Sequence, residues 1–183
     1  MKPVQLRQWN DQDREPLAQM NADPEVMRYF LSPMSRRESA EALTRMRADL
    51  EKRGWGIWAV EVEGRFAGMV GLNVPRWELP FQPCTEILWR FQREFWGQGV
   101  AFAAAAQALE YGFSRAALHE IVAFTTPPNS RSIRLMERLG FLHDSGGDFD
   151  HPAVPEGHGL RRHVLYRKKN PGTPAGAVLK TRG

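Results

Sequence analysis

The chain has few of the residues that mark secreted or membrane proteins. One cysteine, Cys84, stands among 183 residues, so an internal disulfide is excluded and a reducing compartment is expected. No window contains the run of about 18 apolar residues that a membrane span requires. The first residues, MKPVQLRQWNDQD, lack an apolar signal core. We therefore expect a cytoplasmic protein with no membrane partner.

Acidic residues are absent from the stretch 161–183, which contains seven of the 25 basic residues. The rest of the chain has 18 basic and 21 acidic residues, so the body of the chain is slightly acidic although the net charge of the whole chain is +4. A basic end on an acidic body is more typical of a solvated tail than of a nucleic-acid footprint, so we expect no nucleic-acid partner. The composition predicts one globular domain over residues 1–169 and a disordered, basic, Pro/Gly/Ala-rich tail over 170–183.

Apolar periodicity and breaker residues predict alternating strands and helices. Predicted strands cover 4–8, 56–62, 65–73, 85–91 and 119–125, with a last pair at 141–143 and 159–166. Predicted helices cover 11–20, 23–30, 35–53, 100–116 and 129–139, with Asp11, Asp23, Ser35 and Asn129 at their starts. This order predicts an α/β (α+β) domain in which helices cover a mixed sheet.

A glycine turn between the strand at 85–91 and the helix at 100–116 carries the most specific chemistry. Gly97 and Gly99 lack a Cβ, so their amides can come close to a ligand. The first N–H groups of the following helix have no intrahelical partner and lie at the positive end of its dipole. This arrangement predicts a site for the phosphates of a cofactor.

Three sequence blocks resemble motifs of the GCN5-related N-acetyltransferases (GNAT), most closely the RimJ/RimL-type branch that contains the ribosomal-protein N-terminal acetyltransferases. WAVEVEGRFAGMVGL is similar to the family's central hairpin, and EILWRFQREFWGQGVA is similar to its acetyl-CoA motif. HEIVAFTTPPNSRSIRLMERLGF is similar to its second motif, with N-x-x-S and a final G-F. The resemblance covers roughly residues 4–167. It implies a mixed, mostly antiparallel sheet of six to seven strands, splayed at the cofactor site and flanked by helices.

The resemblance implies acetyl-CoA as the cofactor and assigns residues to it. The turn would hold the CoA pyrophosphate through backbone amides, and the preceding strand would pair with the pantetheine arm. Arginines on the later helix would reach phosphates. The implied cofactor-binding residues are Leu88, Trp89, Arg90, Phe91, Trp96, Gly97, Gln98, Gly99, Val100, Ala101, Phe102, Asn129, Arg131, Ser132 and Arg134.

The chain departs from the family pattern at several of these positions. Trp96 stands where the frame has Gln or Arg, and Phe102-Ala103 stands where the branch usually reads Thr-Glu. Met136 occupies the place of a general-acid tyrosine that many members carry. Ser132 is then the best remaining hydroxyl for the leaving thiolate, and Glu86 is the first candidate for the general base.

Other interpretations of these residues stay open. Glu86 is equally interpretable as a surface carboxylate at a strand edge, Ser132 as a helix-surface serine and Asn129 as a helix N-cap. If Glu86 faces the site, Ile87 and Trp89 face the opposite side of the strand and pack under the sheet. A backbone N–H near Trp89 or Arg90 is the expected oxyanion donor.

Two further groups of residues are weaker candidates for sites. An acidic, histidine-containing stretch matches no metal-ligand spacing, so we expect no metal; its members are His143, Asp144, Asp148, Asp150, His151, His158 and His163. The carboxylates of the loop DFDHPAVPEGH, residues 148–158, are candidates for attracting a cationic amine. The tryptophans Trp55, Trp58 and Trp77 fit core packing better than an acceptor pocket.

Two rival functions were compared with acetyl transfer. A dinucleotide-binding oxidoreductase is disfavoured, since Phe102 is bulky at the third glycine position and Glu120 opens a strand where an acidic residue should close one. A non-catalytic acetyl-CoA-binding domain remains an alternative.

The sequence therefore predicts an N-acetyltransferase that moves an acetyl group directly to a primary amine. The acceptor is a peptide or protein N-terminus or, alternatively, a small-molecule amine such as a polyamine, an amino acid or an antibiotic. The family resemblance also implies a homodimer.

Overall fold

A mixed sheet of eight strands runs through the molecule in the order β1-β2-β3-β4-β5-β8-β6, with β7 paired to β8. The structure is a computed structural model and describes residues 3–172. The strands are β1 (Val4–Arg7), β2 (Ile57–Val62), β3 (Arg65–Asn73), β4 (Glu86–Phe91), β5 (Glu120–Thr125), β6 (Leu142–His143), β7 (Phe149–Asp150) and β8 (Arg162–Lys169). The helices are α1 (Arg14–Ala22), α2 (Arg36–Arg53), α3 (Val100–Ser114) and α4 (Ser130–Arg138).

The sheet contains one parallel pair, β4 with β5, among the strands of residues 3–172. The neighbouring pairs from β1 to β4, and those that β8 makes, are antiparallel. The predicted mixed, mostly antiparallel sheet with flanking helices is confirmed. It has eight strands where six to seven were expected, because β7 is only two residues long and gives no periodic pattern in the sequence.

Each face of the sheet is covered by two helices. α3 and α4 pack on one face around a core that includes Ile87, Phe91 and Ala104, and the repeated alanines of α3 let the helix lie close to the strands. α1 and α2 pack on the other face around Leu17 and Leu43. Because side chains alternate along β4, successive residues of this strand enter the two different layers.

Local capping explains where the helices begin and end. Ser35 Oγ accepts a hydrogen bond from the Glu38 amide, and Glu38 Oε2 accepts one from the Ser35 amide, so the predicted capping box is confirmed. Gly54 ends α2 with φ of 73°. Asn129 caps α4 through its Oδ1, which accepts a hydrogen bond from the Ser132 amide.

Of the two helices predicted near the N-terminus, the first begins later than expected and the second is absent. Residues 11–13 form a 3₁₀ turn and α1 begins only at Arg14; the Asp13 carboxylate in this turn is buried, accepts a hydrogen bond from the Asn10 amide and pairs with Arg7 at 2.7 Å. The stretch 23–30 forms turns, not a helix. So short a segment has little intrinsic helical stability, and its side chains instead make tertiary contacts with β4 and the β5–α4 loop.

The predicted last strand pair, 141–143 with 159–166, is present as β6 and β8, although β8 begins later and continues to Lys169. Asn170, which was predicted to begin the disordered tail, is held against the domain, because its side chain donates hydrogen bonds to the carbonyl oxygens of Phe113 and Leu118. Residues 173–183, most of the predicted tail, lie outside the described residues. No helix within residues 3–172 combines the length and apolar character needed to cross a bilayer.

The closest backbone approach in the sheet generates a stability prediction. A Cβ on Gly71 would overlap the carbonyl oxygen of Gly56 and the Cα of Ile57. We expect Gly71→Ala to lower the free energy of unfolding by about 3 kcal/mol, because backbone atoms must move to admit the methyl group. Chemical denaturation measures the change. Gly159→Ala is the control, since its Cβ would enter open space; equal stability of both variants would contradict the packing described.

Candidate functional site

The site lies where β4 and β5 separate. Only Glu86 and Val122 pair across this parallel junction, and the Val122 amide donates to the Thr85 carbonyl oxygen at 2.9 Å. Beyond that pair the two strands diverge, and a cleft of about 1500 Å³ opens between them and reaches both faces of the sheet. The cleft therefore gives two molecules access to one stretch of β4 from opposite sides.

The free edge of β4 within this gap can be assigned to a residue. The Gln92 amide donates to the Ala67 carbonyl oxygen of β3, and backbone groups of alternate residues face opposite edges of a strand. The amide and carbonyl of Arg90 therefore face β3, whereas those of Trp89 face the gap. Of the two amides that the sequence suggested as oxyanion donors, only that of Trp89 is turned toward the gap by this pairing register.

The glycine turn closes one end of the cleft. Gly97 and Gly99 have φ values of 74° and 78°, a backbone conformation that other residues adopt with strain. The first intrahelical bond of α3 runs from the Ala103 amide to the Gly99 carbonyl oxygen, so the amides before it have no helical partner. The Gln98 side chain turns back to donate to the Glu94 carbonyl oxygen, and the Val100 side chain is buried in the core. The turn thus offers backbone donors to a ligand.

A row of exposed arginines on α4 borders the same end of the cleft. Arg131 lies over the Trp96 ring at 4.7 Å, and Arg138 lies over the Phe102 ring at 4.9 Å. Arg134 also lines the cleft. Cation–π contacts hold the two outer arginines beside the turn. Together with the amides they make this end of the cleft suited to phosphate groups.

Ser132 and Trp89 meet near the middle of the cleft. The Trp89 indole Nε1 donates to Ser132 Oγ at 3.3 Å, and both residues line the cleft. Asn129, one turn earlier, uses its Nδ2 to donate to Thr125 Oγ1 at 3.0 Å. Since the Ser132 oxygen accepts a hydrogen bond, its own proton is left to be donated elsewhere.

Glu86 lies at the floor of the cleft on the face that carries α1 and α2. Its neighbours in the strand, Ile87 and Trp89, face the opposite side, as the alternation predicted. Burial raises the pKa of Glu86 to about 7, and a hydrogen bond from Asn73 Nδ2 to Oε1 at 2.6 Å acts in the opposite direction. A carboxyl group with a pKa near 7 is matched to proton transfer at neutral pH.

Aromatic and histidine rings form the wall beside Glu86. Phe124 follows Val122 by two residues on β5 and so faces the same side as Glu86. The rings of His151 and His163 lie 6.2 and 6.1 Å from Phe124, and 5.0 Å from each other. Burial lowers the pKa of His151 to about 4 and also lowers that of His163. Both imidazoles are therefore neutral at pH 7.

Three carboxylates of the loop after α4, two of which the sequence suggested as attractors of a cationic amine, have cationic or amide partners within the protein. Asp144 is paired with Arg167, and Asp150 lies near Arg161 and Arg162. Asp148 accepts hydrogen bonds from the Leu165 amide and from the His143 ring. These carboxylates hold the loop to β8. Within residues 3–172, histidine, cysteine and acidic residues form no group of three or more that is arranged to hold a metal ion.

The three tryptophans considered for an acceptor pocket do not line the cleft. Trp55 and Trp58 pack against the core, as the sequence favoured, and Trp77 is half exposed beside His151.

Several residues of the cleft were missed by the sequence. Asn73 lies opposite Glu86 in the β3–β4 register, and an asparagine that ends an apolar strand was the available signal. The Tyr29 hydroxyl donates to the Pro128 carbonyl oxygen across 99 residues of sequence, which no local pattern reveals. His151 and His163 were noted only as members of the acidic loop.

Comparison with known proteins places this architecture in a family. The model of the acetyltransferase (GNAT) domain matches residues 4–142. The FsC-acetyl coenzyme A-N(2)-transacetylase of Aspergillus fumigatus is 32% identical over 172 residues, which cover 86% of this chain and 73% of that protein.

Two solved structures share the fold at lower sequence identity. The yncA protein of Salmonella typhimurium, solved with its cofactor acetyl-CoA, has a TM-score of 0.73 at 17% identity and covers 94% of this chain and 96% of its own. The spermidine N-acetyltransferase of Vibrio cholerae, solved with CoA and spermine, has a TM-score of 0.72 at 19% identity and covers 91% of this chain and 95% of its own.

Burial of Glu86 generates a prediction for the pH dependence of stability. The unfolded chain ionises this carboxyl at about 4.5 and the folded protein only at about 7, so Glu86 destabilises the fold increasingly as the pH rises between these values. We expect Glu86→Gln to be more stable than the wild type by about 3 kcal/mol at pH 8 and equally stable at pH 4.5. Denaturant unfolding of the ligand-free protein measures both. The exposed Glu51→Gln is the control; a difference that is equal at the two pH values would contradict the account.

Proposed function

Because the chain belongs to the GNAT acetyltransferase family, we propose that it transfers the acetyl group of acetyl-CoA directly to the primary amine of a small molecule. Family membership makes it an acetyl-CoA-dependent N-acetyltransferase. The direct transfer, the residues that perform it and the class of acceptor are the parts proposed here. The observation that carries the proposal is the buried Glu86 carboxyl in the cleft where β4 and β5 part.

Glu86 is proposed as the general base. An amine is protonated in neutral water and must lose a proton before it can attack a carbonyl carbon. Glu86 lines the acceptor side of the cleft, and its pKa of about 7 lets it accept that proton, directly or through a water molecule. Asn73 holds the carboxylate in place through the 2.6 Å hydrogen bond.

Trp89 and Ser132 are proposed to handle the charges that develop during transfer. When bound, acetyl-CoA supplies the acetyl group as a thioester, from which the amine displaces the thiolate. The Trp89 amide faces the gap between β4 and β5, where it can donate to the oxyanion of the transition state. Ser132 Oγ receives its hydrogen bond from the Trp89 indole and can pass its proton to the departing thiolate while solvent replaces that proton.

The cofactor is proposed to lie along the free edge of β4 with its phosphates at the glycine turn. The open cleft and the unpartnered amides fit such a ligand, and the arginines of α4 add positive charge. Of the residues predicted to bind it, Gln98 and Val100 can do so only through their backbone. Leu88 and Arg90 send their side chains to the acceptor face and their amides to β3, so Trp89 replaces them as the main pantetheine contact.

A small-molecule acceptor is supported by the named relatives, among them the fungal N(2)-transacetylase and the structurally similar spermidine N-acetyltransferase. The resemblance of Trp96–Ala101 to the ribosomal-protein branch makes a peptide or protein N-terminus the second candidate. The homodimer and the cytoplasmic location expected from the sequence stay predictions.

Replacement of the proposed base tests this function. We expect Glu86→Gln to lower kcat/KM for amine acetylation at pH 8 by about 100-fold or more, since general-base catalysis typically contributes at least that factor. The wild-type kcat should rise with pH through about 7, and the variant should lose this rise. Thiol release from acetyl-CoA, measured across pH 5.5–9, gives both quantities.

Two further variants define what would contradict the proposal. Glu51→Gln, an exposed change on α2 outside the cleft, should leave both the rate and the pH profile unchanged. Ser132→Ala should lower kcat while the rise near pH 7 remains, because it removes the acid and keeps the base. Full activity of both Glu86→Gln and Ser132→Ala would show that these roles are wrongly assigned.

A further inference from the structure

A second charged side chain lies on the same face of β4 as Glu86. Arg90 follows Glu86 by four residues, so the two side chains enter the same layer, with Leu88 between them. All three line the cleft. The Cα atoms of Glu86 and Arg90 are roughly 13 Å apart, since a strand rises about 3.3 Å per residue. The acceptor side of the cleft therefore has a carboxyl group at one end and a guanidinium group at the other.

Arg90 makes no ion pair with any residue between 3 and 172. Its Nη1 donates to Asn21 Oδ1 at 2.5 Å and approaches the Met34 sulfur at 3.7 Å. Its Nε is shut off from solvent and has no hydrogen-bond partner within the same range of residues. Phe30 covers the guanidinium, with its ring centroid 4.3 Å from Cζ. A buried cation held only by neutral groups is unfavourable unless an anion joins it.

The charge of Arg90 persists at neutral pH. Burial lowers the pKa of Arg90 to about 10, which leaves the group protonated at pH 7. Three carboxylates line this side of the cleft, those of Glu25, Asp49 and Glu86, and none of them forms an ion pair with Arg90. Asp49 is paired with Arg53, and Glu86 is hydrogen-bonded to Asn73. Among residues 3–172, Arg90 is therefore the buried cation on this face that is available to bind an anion entering the cleft.

The wider charge distribution on the acceptor side does not suit a polyamine. Besides Arg90 and Glu86, the lining contains the cations Arg28, Arg45 and Arg76 and the anions Glu25 and Asp49. A site for a multiply charged cation is expected to be lined mainly by acidic groups. Here arginines are at least as numerous as carboxylates, and the most deeply placed of them is unpaired.

We infer that the acceptor carries a carboxylate as well as its amine, and that Arg90 binds this carboxylate while the amine faces Glu86. The inference rests on the proposed amine acetylation. The two groups at opposite ends of Leu88 select amino-acid-like acceptors over simple amines. The distance between them favours a carboxylate several bonds from the reacting amine, as in the side-chain amine of lysine. Arg90 is thus a specificity-determining residue, and it takes no part in proton transfer.

Matched acceptors test this inference on the full-length wild-type chain. L-lysine, L-lysinamide and 1,5-diaminopentane share the same side-chain amine and differ in the carboxylate; L-leucine, L-leucinamide and 3-methylbutylamine form a second set. With saturating acetyl-CoA, we expect kcat/KM to be at least 10-fold higher for L-lysine than for L-lysinamide, and we expect a smaller difference in the leucine set, whose carboxylate lies next to the amine. A charge-assisted hydrogen bond typically contributes a factor of this size. The difference should appear mainly in KM, because the contact is distant from the reacting atoms.

Variants of Arg90 connect the preference to this side chain. Arg90→Gln should raise KM for the carboxylate acceptor to that of the amide, and Arg90→Lys should retain part of the preference. Arg37→Gln, an exposed change on α2 outside the cleft, is the control and should leave the preference unchanged. Thermal unfolding and acetyl-CoA binding show whether each variant is folded. The comparison of acceptors on the wild-type protein does not depend on any variant.

The outcomes separate this inference from the proposed function. Equal or faster turnover of the carboxylate-free amines would overturn the carboxylate site while amine acetylation stands. A preference that survives intact in a folded Arg90→Gln variant would remove Arg90 from the site. Failure of every amine in both sets, with acetyl-CoA bound, would contradict the proposed function itself.

Discussion

The separation of β4 from β5 is the constraint on which the rest of the site depends. The two strands pair at Glu86 and Val122 and then part, so the edge of β4 loses the hydrogen-bond partner that a regular parallel sheet would supply. An unpaired strand edge inside a fold needs polar partners from elsewhere. At Phe91 the partner is the Trp96 indole, which donates to the carbonyl oxygen at 2.9 Å. At Trp89 the edge faces the cleft, where a ligand with amide groups can take the place of the missing strand.

The same separation places opposite chemistry on the two faces of one strand. Trp89 faces α4 and contacts Ser132, whereas Glu86 and Arg90 face α1 and α2. Buried charges on the acceptor face are costly, and the pKa of Glu86 rises and that of Arg90 falls for this reason. Each pKa shift shows that the charged form of the side chain is stabilised less in the folded protein than in water. In the proposed reaction, a bound amine would pair with Glu86 and the carboxylate of the acceptor would pair with Arg90.

The sequence predicted the parts of the fold that local patterns control. The capping box at Ser35, the Asn129 cap and the turn at Gly97 and Gly99 follow from short-range hydrogen bonding and backbone conformation, and all three are present. The stretch 23–30 was predicted as a helix because its cap and proline are local signals. Contacts from Phe30 to Arg90 and from Tyr29 to Pro128 decide its conformation instead, and they join residues 60 to 99 positions apart.

In the candidate site, too, the sequence predicted what local patterns control and missed what distant contacts control. Glu86 was identified from its place on the strand before the turn, but its neighbour Asn73 and its burial depend on strand register and on packing of distant elements. The partners of the loop carboxylates could not be read from the sequence either, since Arg167, Arg161 and Arg162 are brought to them by the tertiary fold. The sequence predicted only a contact between the Arg90 backbone and the cofactor. No sequence pattern shows that the Arg90 side chain has no carboxylate partner among residues 3–172.

The central claim is that the cleft holds cofactor and acceptor together, so that the acetyl group passes directly between them. Initial rates measured over a grid of acetyl-CoA and amine concentrations test it most directly. Direct transfer in a ternary complex predicts intersecting lines in double-reciprocal plots and no acetylated enzyme when acetyl-CoA is present alone. Parallel lines, together with an acetyl-enzyme that forms and is consumed at a competent rate, would contradict the account.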